Sequence, residues 1–156
     1  MTGAIEARLT ELGIELPIPR KPKVAKILPA LIVDRLLFVS GMVPHWDGEL
    51  RYVGKVGREF SLEEGQAAAR LSTLSVLAEA REALDGDLDR IARVVNVKGY
   101  VNALPDFTQI PDVVNGASEV MMDVFGDAGR HTRTAMGVAV MPFDVAIEVE
   151  AIFQLH

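Results

Sequence analysis

The sequence predicts one α+β domain over residues 1–156, with helices on one face of a β-sheet. The 156 residues are 49% hydrophobic and 24% charged, which is typical of a globular domain that buries a single core. The hydrophobic patterns follow the order two strands, helix, strand, helix, two strands, without internal repeats or a linker. Because the other face of such a sheet needs cover, we expect a homo-oligomer.

The N-terminal third predicts a short helix, a β-hairpin and a polar loop. Apolar side chains recur every three to four positions over residues 4–12, and a proline-rich lead-in follows, so we assign residues 1–20 to these two features. Two apolar segments, 24–33 and 36–41, predict strands that are expected to pair as a hairpin. Residues 44–58 are rich in glycine and polar side chains, which predicts a loop or a small ribbon.

The remainder predicts two long helices and three strands. Residues 62–85 begin with the spacing of a capping box and keep a helical apolar stripe. A β-branched run predicts a strand over 91–102, and a proline and a glycine bound a second helix over 111–126. Alternating apolar residues on both sides of 141–144 predict two strands joined by a turn.

Composition argues against several classes of function. A net charge of −6, a pI near 5.1 and no block of basic residues disfavour nucleic-acid binding. The chain has no cysteine, which excludes disulfides and thiolate catalysis, and it shows no signal peptide or membrane span, so we expect a cytoplasmic protein. The spacing of His45, His131 and His156 gives no metal motif, and we expect exposed or loop histidines.

Charged residues interrupt the last two predicted strands. A guanidinium at Arg133 suits a carboxylate held by two hydrogen bonds, and that carboxylate could come from a ligand or from within the protein. An ion pair with Glu148 or Glu150, or simple exposure at a strand end, is the competing explanation. Glu148 and Glu150 share one face of their strand, which either solvent or a subunit boundary could cover.

The stretch RTAMGVAVMPFDVAIEVEAI at residues 133–152 resembles the C-terminal signature of the RidA (YjgF) family. The segments LLFVSGMVP and PDFTQIPDVVNGASEVMMDVFG follow the same family in order, so the resemblance covers about residues 24–153. The segment Arg130-His131-Thr132-Arg133-Thr134-Ala135 is similar to the longer branch of that family.

The resemblance implies a fold and an activity. It implies a chorismate-mutase-like α+β fold, with a mixed six-stranded sheet, two main helices on one face, and a homotrimer that binds small carboxylates between subunits. It also implies hydrolysis of reactive 2-imino acids and enamines to 2-keto acids and ammonia, without a cofactor or a metal. A carboxylate-binding or regulatory protein without turnover is the alternative. An endoribonuclease ranks last, because the chain is acidic and only 6% aromatic.

The resemblance also assigns roles to residues of this chain. Arg133 corresponds to the carboxylate-binding arginine and Glu148 to the glutamate that positions water, while the amide of Ala135 is expected to be a second donor to the carboxylate. Two weaker correspondences complete the substrate-binding set, Ser40 in a Ser-Gly turn and Asn115 on the second long helix.

Ile27 marks a departure from the family. It stands where many members carry a tyrosine that lines the pocket. The identity of the substrate is therefore open, and the loss of that hydroxyl is the main support for the alternative of binding without turnover.

Overall fold

A computed structural model describes residues 3–156 as three α-helices and seven β-strands. Three short 3₁₀ turns join them at Leu88–Arg90, Gly126–Gly129 and Pro142–Asp144. The helices and strands, in chain order, are α1 Ala4–Glu11, β1 Ala30–Val33, β2 Leu36–Met42, β3 His45–Trp46, β4 Glu49–Leu50, α2 Leu62–Ala83, β5 Ile91–Asn102, α3 Ile110–Phe125, β6 Thr132–Val138 and β7 Ile147–Leu155.

The main sheet is mixed and has the strand order β1-β2-β7-β5-β6. Only β5 and β6 run parallel, because α3 carries the chain from the end of one to the start of the other. The predicted count of six strands is wrong: the sheet has five, and β3 and β4 form a separate ribbon. The two C-terminal strands also do not pair with each other, because β5 lies between them.

The helices α2 and α3 pack on each other and on one face of the sheet, as predicted. Ser61 and Glu64 form the predicted capping box at the start of α2. The sheet contributes the buried residues Val94, Val97, Ile147, Val149 and Phe153 to this core. The α+β prediction is therefore confirmed. The first strand is shorter than expected: residues 24–29 lie outside it, and it begins at Ala30.

Among residues 3–156, no helix covers the second face of the sheet. Alternate residues of β7 are buried, and those between them, including Glu148 and Glu150, are only half-buried. The β1–β2 side of this open face is apolar, with Leu31, Val33, Leu36 and Phe38 all exposed. Within residues 3–156, no helix combines the length and the hydrophobicity that crossing a bilayer would need.

Candidate functional site

Arg133 lies on the outer strand of the sheet and is held by α3. Its strand partner is Val97, a core residue, so the arginine projects toward the helices. Its Nη1 donates hydrogen bonds to the side-chain oxygen of Asn115 at 2.8 Å and to the hydroxyl of Ser118 at 3.1 Å. The side chain is half-buried and, within one chain, makes no ion pair with Glu148 or Glu150, so the single chain supports neither competing explanation from the sequence.

The local sequence of α3 explains this arrangement. Asn115 and Ser118 are three residues apart, so both reach the same side of the helix, above β6. Gly116 between them lets α3 approach α2 closely, because a Cβ at this position would overlap the carbonyl oxygen of Gln66. The backbone oxygen of Pro111 accepts a third, longer hydrogen bond of 3.3 Å from Nη2 of Arg133.

These contacts leave one edge of the guanidinium available. Both hydrogens of Nη1 and one hydrogen of Nη2 are used, and no described residue accepts a hydrogen bond from Nε. The Nε–H and the Nη2–H on the same edge are the parallel pair that a carboxylate can accept together, and of these donors Nε–H is unused within residues 3–156. Ala135, two residues further along the same strand face, is half-buried.

Glu148 lies on the opposite, open face of the sheet, beside Gly41. From Val39 to Met42 the strand β2 advances by three residues, while its partner β7 covers only two, from Ala151 to Val149. The extra residue of β2 makes a β-bulge at Ser40 and Gly41. A Cβ on Gly41 would overlap Oε1 of Glu148, so the carboxylate lies directly against the glycine backbone. The predicted Ser-Gly turn is therefore a bulge within a strand.

The surroundings of Glu148 stabilise the protonated form of its carboxyl relative to a carboxyl in water. Burial raises the pKa of this carboxyl, and the nearby charge of Glu150 raises it further. Glu150 is itself paired with Lys98 at 3.1 Å. A carboxyl whose pKa is shifted toward neutrality is suited to exchange protons with a bound water molecule or substrate.

Ser40 is hydrogen-bonded to the segment that follows Ile27. The hydroxyl of Ser40 donates a hydrogen bond of 2.7 Å to the carbonyl of Leu28, so its lone pairs remain able to accept. Ile27 precedes Leu28 in the segment that leads into β1, and 52% of its surface is exposed. The exposed aliphatic side chain of Ile27 is suited to line an apolar pocket.

The predicted residues therefore fall into two groups, which one chain does not bring together. The cation group, defined as Arg133, Asn115 and Ala135, is on the helix side of the outer strand. The carboxylate group, defined as Glu148, Ser40 and Ile27, is on the open side. Because β5 separates β6 from β7, the strands that carry Arg133 and Glu148 are roughly 10 Å apart, and the two side chains point to opposite faces.

Two grooves of the chain lie away from both groups. A groove of about 350 Å³ lies between Ile18 and the end of α2, and another of about 510 Å³ lies beside the start of α1. Neither contains a residue of the cation group or of the carboxylate group. No cluster of three or more possible metal ligands occurs within residues 3–156.

The sequence analysis missed two residues beside the cation group and misplaced a third. Ser118 and His131 are hydrogen-bonded to each other at 2.9 Å, and Ser118 also contacts Arg133. Ser118 could have been identified from its spacing, because it lies three residues after Asn115 on the same helix.

His45, expected to be exposed or in a loop, is on β3 and only 1% exposed, and within residues 3–156 neither ring nitrogen has a hydrogen-bond partner. Burial lowers the pKa of its imidazole, and the charge of Arg20 lowers it further.

Comparison with known proteins agrees with this architecture. A family model described as "YjgF/chorismate_mutase-like, putative endoribonuclease" matches residues 6–154. Protein TCP17 of Trypanosoma cruzi is 41% identical over 156 residues, which cover 99% of this chain and 96% of that protein. The crystal structure of Atu1372 from Agrobacterium tumefaciens is 39% identical, with a TM-score of 0.90 over 97% of this chain and 92% of that one. A structure from Shewanella oneidensis, named as an endoribonuclease, is 33% identical, with a TM-score of 0.93 over 98% of this chain and 100% of that one.

Proposed function

Because the chain belongs to the YjgF/chorismate-mutase-like family, we propose that it hydrolyses 2-imino acids and their enamines to 2-keto acids and ammonia. The observation that carries the proposal is the state of Arg133. Asn115 and Ser118 hold its guanidinium, and its Nε–H and one Nη2–H remain for a substrate carboxylate. A fixed arginine binds such a group with less loss of side-chain entropy than a mobile one.

In the proposed reaction, Arg133 binds the carboxylate and Glu148 moves protons. As the water oxygen forms a bond to the imine carbon, Glu148 takes one proton from that water and passes it to the nitrogen. The resulting carbinolamine then transfers its hydroxyl proton to the same nitrogen through Glu148. The C–N bond breaks, its electron pair leaves with ammonia, and the oxygen forms the C=O bond of the keto acid. The raised pKa of Glu148 supports this role, because an acid–base group works best when its pKa approaches the operating pH.

We propose that the cation group of one copy meets the carboxylate group of another. Both groups have an uncovered side, and they face opposite directions within one chain. The exposed apolar residues of β1 and β2 give a second copy a surface to bury. A homotrimer, the assembly that the resemblance implies, has three equivalent contacts of this kind. A cytoplasmic location remains a prediction.

Two alternatives have different consequences. A carboxylate-binding protein without turnover would use the same arginine, and the aliphatic Ile27 supports it. Cleavage of RNA, suggested by the names of relatives, would require attraction to phosphate. The net charge of −6 and the two glutamates on the open face oppose such attraction.

The test is a competition assay. A pyridoxal-phosphate-dependent dehydratase generates 2-iminobutanoate from threonine, and semicarbazide traps what has not been hydrolysed. We expect the wild-type protein to lower the rate of semicarbazone formation and to accelerate ammonia release. Arg133→Ala should reduce kcat/KM by about 100-fold or more, because two hydrogen bonds to a charged group are worth roughly 1.5–3 kcal/mol each. Equal trapping with and without protein would contradict the proposal.

Matched variants separate the possibilities. Arg130→Ala removes the same charge from a neighbouring exposed side chain and should leave the rate unchanged. Glu148→Gln should lower kcat by about 100-fold or more while carboxylate binding persists, because it removes only proton transfer. Calorimetric binding of 2-oxobutanoate without any turnover would favour the binding protein, and cleavage of a single-stranded RNA would favour the endoribonuclease.

A further inference from the structure

A row of hydrogen bonds runs from Arg133 through Ser118 into the protein, and the proposed mechanism does not use its far end, His131 and Gly129. Nη1 of Arg133 contacts the Ser118 hydroxyl at 3.1 Å, and this hydroxyl lies 2.9 Å from Nε2 of His131. The other ring nitrogen of His131, Nδ1, lies 2.6 Å from the carbonyl oxygen of Gly129. Ser118 is only 9% exposed, so little water competes for its hydroxyl.

For a neutral His131 ring, the chemistry of the end groups determines the direction of every bond in this row. The Gly129 carbonyl can only accept, so Nδ1 of His131 must carry the hydrogen. In the neutral ring Nε2 is then an acceptor, and the Ser118 hydroxyl donates to it. A guanidinium can only donate, so the oxygen of Ser118 accepts from Arg133. One arrangement of hydrogens therefore satisfies the whole row.

The far end of the row is anchored to α3. A Cβ on Gly129 would overlap the carbonyl oxygen of Met121, so the backbone at this glycine lies directly against the helix. Arg130 closes the turn by donating its amide to the Asp127 carbonyl at 3.2 Å. The acceptor for His131 is thus held by the same helix that carries Ser118.

We propose that His131, acting through Ser118, is a positioning residue that orients the Arg133 guanidinium for a bidentate carboxylate. This rests on the proposed function, since it assumes that Arg133 binds the substrate carboxylate. With Asn115 and Ser118 occupying both hydrogens of Nη1, the edge formed by Nε and Nη2 is the one left to face the ligand. Without an acceptor at His131, the Ser118 hydroxyl is free to rotate, and its bond to Arg133 no longer has a fixed geometry.

Three variants test this role. His131→Leu removes the acceptor, Ser118→Ala removes the link, and His131→Gln keeps an acceptor oxygen near the position of Nε2. We expect the first two to raise the Kd of 2-oxobutanoate, measured by calorimetry, and the KM of the imine by roughly tenfold, with kcat changed less than about threefold. His131→Gln should recover most of the affinity. His156→Leu makes the same substitution at the exposed C-terminal residue and serves as the control.

A second readout does not depend on turnover. Nitrogen-15 NMR should show a hydrogen on Nδ1 of His131, and a sharp Arg133 Nε–H signal that broadens in His131→Leu and Ser118→Ala. Unchanged ligand affinity and an unchanged Arg133 signal in both variants would overturn the proposal. If wild type binds 2-oxobutanoate but hydrolyses no imine, only the proposed function fails, because affinity and NMR still decide the role of His131. If His131→Leu prevents folding, His131→Phe, which also lacks an acceptor nitrogen, takes its place.

Discussion

The carboxylate of Glu148 lies directly against the backbone of Gly41, at the bulge in β2. Gly41 is not in the left-handed region of φ, so alanine is compatible with its backbone. Because Gly41 has no side chain, the Glu148 carboxylate can occupy this position, and the effect of adding a side chain can be measured.

Gly41→Ala should lower kcat by about tenfold or more, because the new methyl group must displace the proposed proton-transfer carboxylate. The displaced atom is the end of a flexible side chain, so the free energy of unfolding should change by less than about 1 kcal/mol. The control is a double-mutant cycle with Glu148→Gln. If alanine acts through the glutamate, it has no further effect once the carboxylate is gone; fully additive effects would exclude this explanation.

The ion pair between Lys98 and Glu150 should tune the pH dependence of the reaction. Glu150 is the second cause, after burial, of the raised pKa of Glu148. Glu150→Gln removes that negative charge, so the acidic limb of the kcat profile should move to lower pH. Lys98→Gln leaves the charge of Glu150 uncompensated, and the limb should move to higher pH. Shifts in the same direction for both variants would contradict the assignment of this limb to Glu148.

Local patterns predicted the helices and the burial of β7 well, because periodicity and capping act over a few residues. They did not predict that β5 separates β6 from β7, since strand order depends on pairing between distant segments. The face of the sheet to which Arg133 points depends on this strand order and on its contacts with α3. Spacing alone therefore favoured an ion pair with Glu148 or Glu150, which does not form within one chain. The roles of Asn115 and Glu148 came from the resemblance. The burial of His45 was not predicted because the glycine and polar residues of 44–58 indicated a loop, although Val43, Pro44 and Trp46 beside it are apolar.

His45 should destabilise the protein relative to an apolar residue of similar size. Within residues 3–156, both of its buried ring nitrogens lack hydrogen-bond partners, and an unsatisfied buried polar group costs about 1–3 kcal/mol. We therefore expect His45→Leu to raise the free energy of unfolding by about 1 kcal/mol at pH 7.5, measured with urea at one fixed protein concentration. A loss of stability greater than about 1 kcal/mol would indicate that the imidazole has a partner after all.

The same variant should flatten the pH dependence of stability. The pKa of His45 is lowered from 6.5 by burial and by Arg20, and Asp47 opposes this in part. The unfolded chain therefore binds the proton more readily, and wild type loses stability as pH falls through about 6.5. Glu79 and Glu148, whose pKa values are raised, act in the opposite sense, but they do so in both proteins. The difference between wild type and His45→Leu at pH 7.5 and 5.5 isolates the histidine, and a difference independent of pH would refute this assignment.

A mixing experiment tests whether the cation group and the carboxylate group meet between copies. Arg133→Ala and Glu148→Gln should each be nearly inactive alone, since each lacks one group. If the two proteins are unfolded together in equal amounts and refolded, a site is intact only where an unaltered Arg133 faces an unaltered Glu148 from a neighbouring copy. Random assembly in a closed ring makes this about one quarter of the sites, so we expect about one quarter of the wild-type activity.

If Arg133 and Glu148 of the same chain formed the site, every chain would lack one of them and mixing would restore nothing. Refolding each variant alone is the control, because any activity regained in that case would come from the procedure and not from shared sites.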